Sequence, residues 1–556
     1  MPDLLLTAVE YSSYISIVKV IIFMALFFLW LPVLSWVFED AKAIGTNEVL
    51  WTGVVLGTWA AAAVIWLVVP LFVIGVLFYL IAAGASSIGY VMHRNARVAA
   101  FDRVLTVDHI KGLLIGKEKE LDTLKGFVFI TANNNEVPMP QPKTPDFFGY
   151  KSAYNLLTDA MWRRAQSVMF SPATENYTVT YYIDGAALKQ PAIGKEQMEY
   201  LVRFLKDLAD LNVEEKRKPQ KGKFTISQQG EKLIDWEVAT AGSTAGEQIR
   251  LKQLTHKDIA SLSNIGLTPE QYEQLNKIGE LKQGLFIIAG PKKSGATNTF
   301  YSLLRNHDAF INGICTLEKR PSADLLNITQ NVYSLSDTGT TTYAKKLQHV
   351  VRMGPDIVGV ADCEDSETAQ VTAKAALDGK IIYVELKADN VVKALGKWMK
   401  LVGDRNLALD GLIGISCQRL LRKLCEKCKE AYEPKKEVIR KFNIPAEKAK
   451  VLYRAGKVLY SKHGKPRTCE NCQGTGFVGR TGVFEIIMII DDELRRSIKE
   501  SKSLSEIDAQ FKRAKMAYLQ ERALKKVIDG ETAMNEVVQI FSKSKKKKTE
   551  KPEQKT

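Results

Sequence analysis

Residues 285–305 read LFIIAGPKKSGATNTFYSLLR, and the rest of the chain is arranged around them. Residues 285–289 are a short apolar run rich in Ile and Phe, the pattern of a strand buried on both faces. Residues 290–295 are a tight loop, after which Phe300, Leu303 and Leu304 recur at helical spacing. Strand, glycine loop and helix in that order lay backbone N–H groups and a helix N-terminus against one point, which suits phosphate. Gly290 and Gly295 fit the phosphate-loop pattern G-x-x-x-x-G-K-[ST]. The lysine position holds Ala296, whereas Thr297, the hydroxyl that the pattern turns toward magnesium, is present. The candidate nucleotide-binding residues are Gly290, Pro291, Lys292, Lys293, Ser294, Gly295, Ala296, Thr297 and Asn298, a cradle without its central charge.

Toward the N-terminus, residues 20–38 carry no charge, and neither do the 44 positions 49–92. At about 1.5 Å rise per residue the longer run would extend about 66 Å as one helix, twice a hydrocarbon core of about 30 Å. Two spans are expected there, 50–69 and 71–92, breaking near Pro70, with another at 20–38. A cleaved signal peptide does not fit, because the basic leading region is missing and the apolar run is too long. His93, Arg94, Arg97 and Arg103 flank the last span, which puts the C-terminal side in the cytoplasm and, with three spans, Met1 outside. The net acidic segment 39–48 would then lie inside, against that rule; two spans plus an interfacial segment would remove the conflict.

At 556 residues the chain should hold several domains. The expected division is a membrane domain 1–97, a connector and Pro/Asn-rich linker 98–150, a small α+β domain 151–256, and an α/β domain 257–541. In the small domain, helices are expected near 155–166 and 196–209, and strands near 177–184, 224–227 and 233–240, the last two separated by a turn at Gln229 and Gly230. Residues 165–172, AQSVMFSP, stand where the secretion traffic ATPases (the type II secretion E and type IV pilus assembly family) have A-S-D-I-H-I-E-P. Residues 182–185, YIDG, resemble their R-I-D-G, and 216–224, KRKPQKGKF, their R-R-x-P-Q-D-G-R-F. Gly246 and Glu247 match their G-E, and the resemblance continues in family order to residue 541.

The resemblance implies a RecA-like phosphate-loop NTPase domain using ATP and magnesium, and names further site residues. Residues 314–321, ICTLEKRP, resemble I-x-T-I-E-D-P; Glu318 keeps the carboxylate thought to orient the attacking water, and the next acid is Lys319. The other reading of Glu318 is a surface carboxylate paired with Lys319 or Arg320. Residues 352–369 follow R-x-D-P-D-x-x-x-x-G-E-x-R-D-x-E-T-A, with Asp362 for the magnesium-side Glu and Glu364 for the Arg. The S-T-L-H-T-N element reads VELKAD at 384–389, so Lys387 replaces the His. Arginines that reach the nucleotide from the small domain fall on Tyr182, Glu237 and Lys252, of which only Lys252 keeps the sign. Losing one arginine finger costs about 10³–10⁵ in phosphoryl-transfer rate, so these departures together point away from hydrolysis. Lys293, Lys380 and Lys387 are the lysines that could stand in for the lost charge.

Two C-x-x-C pairs, Cys425 with Cys428 and Cys469 with Cys472, offer four thiolates to a structural zinc; a disulfide framework does not suit a cytoplasmic compartment. The resemblance supports zinc, because 468–485, TCENCQGTGFVGRTGVFE, follows C-x-x-C-x-G-T-G-Y-x-G-R-x-G-I-Y-E. The zinc subdomain is expected at 421–485, with His463 a spare ligand, while Cys315, Cys363 and Cys417 are expected to be buried small residues. Residues 542–556 are a Lys-rich tail, expected to be disordered. The net charge of +15 suggests nucleic acid, but the tail lysines have no interleaved aromatics, and no nucleic-acid partner is expected. The expectation is a degenerate traffic ATPase homologue anchored in a bacterial inner membrane. It would be a structural or regulatory subunit of a type II secretion or type IV pilus-like system. By resemblance it would sit in a homo- or hetero-oligomeric, hexameric ring on secretion or pilus platform proteins. An active ATPase with a non-standard loop is the alternative.

Overall fold

The computed structural model describes residues 17–546 apart from 69–71, 99–101, 107–109, 111–123, 125, 143, 229–231, 255–258, 335–341, 443, 445–450, 457–458 and 461–465. The break near Pro70, the turn at Gln229 and Gly230, His463, much of the connector and the tail end therefore lie outside the described residues. The chain forms two compact units, Met1–Leu254 and Thr255–Thr556.

The first unit begins with helices α1 (Ile17–Ala43), α2 (Glu48–Val68) and α3 (Phe72–Asn95). Three stretches, Ile21–Ala43, Glu48–Val68 and Val73–Asn95, are long and apolar enough to cross a membrane. Their inward faces are aromatic: Phe27 stacks on Trp59 with centroids 5.5 Å apart, and Trp66 meets Tyr79 at 5.9 Å. Where α1 and α3 end side by side, the Arg94 Nε donates to both Asp40 oxygens, at 3.1 and 2.8 Å. The Tyr90 hydroxyl donates to the same carboxylate at 2.7 Å. This contact pairs one of the three acids of segment 39–48, Asp40, with the end of α3.

The small sheet comprises β1 (Val128–Ile130), β2 (Glu136–Val137), β3 (Ser167–Pro172), β4 (Asn176–Ile183), β5 (Ala186–Gly194), β6 (Gln220–Gln228), β7 (Lys232–Ser243) and β8 (Gly246–Leu254). Its order is β2-β1-β6-β7-β8-β3-β4-β5, with every neighbouring pair antiparallel. Helices α4 (Pro145–Trp162) and α5 (Lys195–Leu208) cover it, burying Tyr154, Leu157, Leu201 and Leu205 against Phe170, Phe224 and Trp236. The stretch read as linker is partly structured. Phe129 of β1 lies opposite Ile226 of β6, and α4 starts at Pro145, its N-terminus capped by the Thr144 hydroxyl. The Lys206 ammonium, wholly buried, lies 2.7 Å from Glu247 and ties α5 to β8.

The second unit is a seven-stranded sheet between two helical layers. Its strands are β9 (Gly284–Ala289), β10 (Ile314–Glu318), β11 (Thr329–Val332), β12 (Ile357–Val360), β13 (Ile381–Leu386), β14 (Leu412–Leu424) and, after the short β15 (Glu430–Tyr432) and β16 (Leu452–Arg454), β17 (Phe477–Met488). The order is β11-β10-β12-β13-β9-β14-β17. All neighbours run parallel except β17, which is antiparallel to β14. Every residue of β9, β10 and β12 is buried, as a sheet covered on both faces requires. Helices α6 (Pro269–Asn276) and α7 (Ala296–Leu304) lie on one face; α8 (Tyr343–Arg352), α9 (Ser366–Leu377), α10 (Val391–Val402) and α11 (Arg405–Asp410) lie on the other. The chain closes with α12 (Asp492–Glu500), α13 (Leu504–Arg513), α14 (Leu519–Ile528) and α15 (Met534–Lys546). The buried Glu485 of β17 accepts the backbone N–H of Val391 and of Leu519, fixing the first turns of α10 and α14 to the sheet.

Candidate functional site

The loop 290–295 leaves β9 at the carboxyl edge of the sheet, where open parallel sheets hold their ligands. Two left-handed residues shape it, Lys293 at φ 68° and Gly295 at φ 88°. Gly290 has no room for a side chain, since a Cβ there would lie 2.2 Å from the Ser294 Oγ. The Gln418 amide of β14 donates to the Ser294 carbonyl at 3.1 Å and braces the loop from the neighbouring strand. Lys292 and Lys293 are exposed. Ala296 is buried at the first position of α7 and brings only a methyl group.

The Thr297 hydroxyl is 3.1 Å from each oxygen of Glu385 on β13. Burial pushes the Glu385 carboxyl up to about 7, opposed by the Thr297 hydrogen bond and helped by Asp362 and Glu318. Sequence reasoning did not single out Glu385, although one acid inside the apolar strand IIYVEL is an available signal. Thr297, Glu318, Asp362 and Glu385 all line one pocket of about 130 Å³.

Glu318 is not a surface carboxylate. It is buried and accepts the Tyr301 hydroxyl from α7. It also accepts the Thr316 hydroxyl at 2.8 Å and the Gln330 amide of β11 at 3.2 Å. Asp362 accepts the Lys319 backbone N–H at 2.9 Å. Lys319 and Lys387 both pair with Glu364, at 2.9 and 2.8 Å. Those two ammoniums, Lys387 first, hold the Glu364 carboxyl down at about 2. Lys380 precedes β13, and its ammonium donates to the Pro355 carbonyl at 2.9 Å, so it serves the opposite edge of the sheet. In the first unit, Tyr182 lies on β4, Glu237 on β7 and Lys252 on β8; Glu237 pairs with Lys221 at 2.8 Å and lies opposite Lys252.

Cys425, Cys428, Cys469 and Cys472 converge just beyond the paired ends of β14 and β17, their four sulfurs within 4.8 Å of one another. Cys425 and Cys469 are 3.9 Å apart, Cys428 and Cys472 3.5 Å. Four thiolates on a tetrahedral zinc, each at about 2.3 Å, stand about 3.8 Å from one another, so the donor set fits that ion. The Asn471 amide and the Gly476 N–H donate to the sulfurs of Cys425 and Cys472, at 3.2 and 3.3 Å. Cys315, Cys363 and Cys417 are buried and free.

A parallel sheet with a phosphate-type loop at its carboxyl edge, and a cysteine knuckle between its last two strands, defines an α/β fold of the secretion-ATPase class. The chain belongs to the type II/IV secretion system protein family, whose model matches residues 150–539. It is 28% identical over 404 residues to the type IV pilus assembly ATPase PilB of Thermus thermophilus, a match covering 72% of this chain and 44% of that one. It is 27% identical over 393 residues to the type II secretion system ATPase E of Vibrio cholerae, covering 70% of this chain and 74% of the relative. The fold is similar to the X-ray structure of the Legionella pneumophila ATPase DotB, with a TM-score of 0.50 at 14% identity, over 73% of this chain and 98% of that one.

Proposed function

We propose that this chain is a membrane-anchored, non-hydrolysing homologue of the secretion traffic ATPases. It would act as a structural or regulatory subunit of a type II secretion or type IV pilus-like system. The observation that carries this is the Thr297 hydroxyl held by both oxygens of Glu385 beside Ala296. Phosphoryl transfer depends on placed positive charge and on a magnesium-facing hydroxyl. Here the loop's own lysine is missing and the hydroxyl is engaged by an acid. Glu318, the candidate water-orienting residue, has both oxygens committed to protein donors.

On this reading α1–α3 anchor the chain in the inner membrane and the second unit lies in the cytoplasm. There it joins a homo- or hetero-oligomeric ring against platform proteins, with zinc bracing the strand pair β14–β17. An altered but active ATPase is the competing reading, favoured by the convergence of Thr297, Glu318 and Asp362 on one pocket. ATP turnover by the full chain in detergent decides between them. Turnover above about 0.1 per second, against the 1–10³ per second common for enzymes, would refute the non-motor reading if Lys292→Ala/Lys293→Ala abolished it.

A further inference from the structure

Three departures from the family pattern, Lys319, Glu364 and Lys387, look in sequence like separate losses. In the structure they are one group. They lie just past the carboxyl ends of the adjacent strands β10, β12 and β13, the edge from which loop 290–295 leaves β9. One Glu364 oxygen takes the Lys387 ammonium at 2.8 Å, and the other takes Lys319 at 2.9 Å. Glu364, Lys387 and Arg320 line the same pocket as Thr297. Unrelated losses would not be expected to close into a hydrogen-bonded set carrying two ammoniums to one carboxylate.

We propose that Lys387, which lines this pocket, and Lys319, which shares its Glu364 partner, form a pair of phosphate-binding cations, and that the Glu364 carboxylate is their built-in, displaceable occupant. The ligand class is the dianionic terminal phosphate of a nucleoside triphosphate. Two oxygens on one acid, each on one ammonium, present the charge and donor arrangement that two phosphate oxygens would take. The exchange is cheap because the three side chains are 42%, 50% and 57% exposed, so the pairs are screened. It is not driven by acid, since Glu364 stays ionised down to about pH 2. The lysines thus supply charge that Ala296 does not. The inference rests on reading 290–297 as a phosphate cradle and does not require the absence of turnover.

The test is calorimetric binding of ATP, ADP and orthophosphate to the full chain in detergent, with turnover measured on the same samples. Glu364→Gln should tighten ATP binding about tenfold, the worth of a charge-assisted hydrogen bond. Lys387→Ala should weaken it about tenfold, and Glu364→Gln/Lys387→Ala should lose the gain. ADP affinity should move little, which places the site at the third phosphate. Unchanged ATP affinity in both single variants, with melting temperatures intact, would overturn the proposal, as would a response confined to orthophosphate. Turnover would refute the non-motor reading and leave this inference standing; flat binding does the reverse.

Discussion

Arg94 is the place where one substitution should most disturb the three apolar helices α1–α3. Its side chain is 5% exposed and that of Asp40 13%. Arg94→Met keeps the apolar stem but leaves the Asp40 carboxylate with the Tyr90 hydroxyl as its remaining side-chain donor. Removing one partner of a buried pair costs about 3–5 kcal/mol, because the other charge stays out of water. Two unit charges about 4 Å apart at an effective dielectric of 20 give about 4 kcal/mol, the same order. Asp102, the second partner of Arg94, is 44% exposed and returns to solvent. Asp40→Asn/Arg94→Met should therefore recover most of the loss, since replacing both members of a buried pair is often close to neutral. Trp36 and Trp51 pack on Tyr90, with centroids 5.6 and 5.5 Å away, so tryptophan fluorescence follows the transition. The assay is denaturant unfolding of the full chain in micelles. A single-variant cost below about 1 kcal/mol, or a double variant no better than the single, would refute the reasoning.

Cys469→Ser/Cys472→Ser should lose the bound zinc in metal analysis and lower the melting temperature of the second unit, because structural zinc contributes folding energy; full zinc retention would refute the assignment. Burial holds the His307 ring down at about 4 against an ordinary 6.5. A lowered folded value gives stability that is complete above pH 6.5 and is lost as pH falls toward 4, about 3 kcal/mol in all. His307→Gln should flatten that slope in unfolding measured from pH 7 to 4, and parallel curves would count against it. Gly359 of β12 faces α7 so closely that a Cβ would lie 2.6 Å from the Phe300 ring. Gly359→Ala should cost about 1–3 kcal/mol by overpacking, and an unchanged denaturant midpoint would contradict that contact.

The elements that could be read ahead are those whose signal is local. The apolar run at 285–289 became β9 because a strand covered on both faces leaves no room for polarity. The charge-free stretches at 20–38 and 49–92 are helical over their described residues for the matching reason. The strands at 128–137 were missed because two- and three-residue strands are set by their partners, β6 for β1 and β1 for β2, and not by their own pattern. Glu318 was open between two readings because its partners Tyr301 and Gln330 come from α7 and β11, which only the fold brings together. Lys319, Glu364 and Lys387 were read as three defects for the same reason: 45 and 23 residues separate the members of each pair. The cysteine spacing was legible, since two close pairs already fix the donor set.

The position of the tetracysteine cluster has a consequence for how this part of the chain can change. Cys425 follows β14 directly and Cys472 comes shortly before β17, so the excursion between them is pinned at its root. Strand pairing runs from Gly414 with Met488 to Leu424 with Phe477, and the segment beyond the sulfurs returns to the same core, where Ile444 and Leu452 are buried with Leu421 and Val483. Change between Cys428 and Cys469 is thus held at two points, the cysteine pairs at the root and the apolar side chains at 444 and 452 that the sheet's core receives.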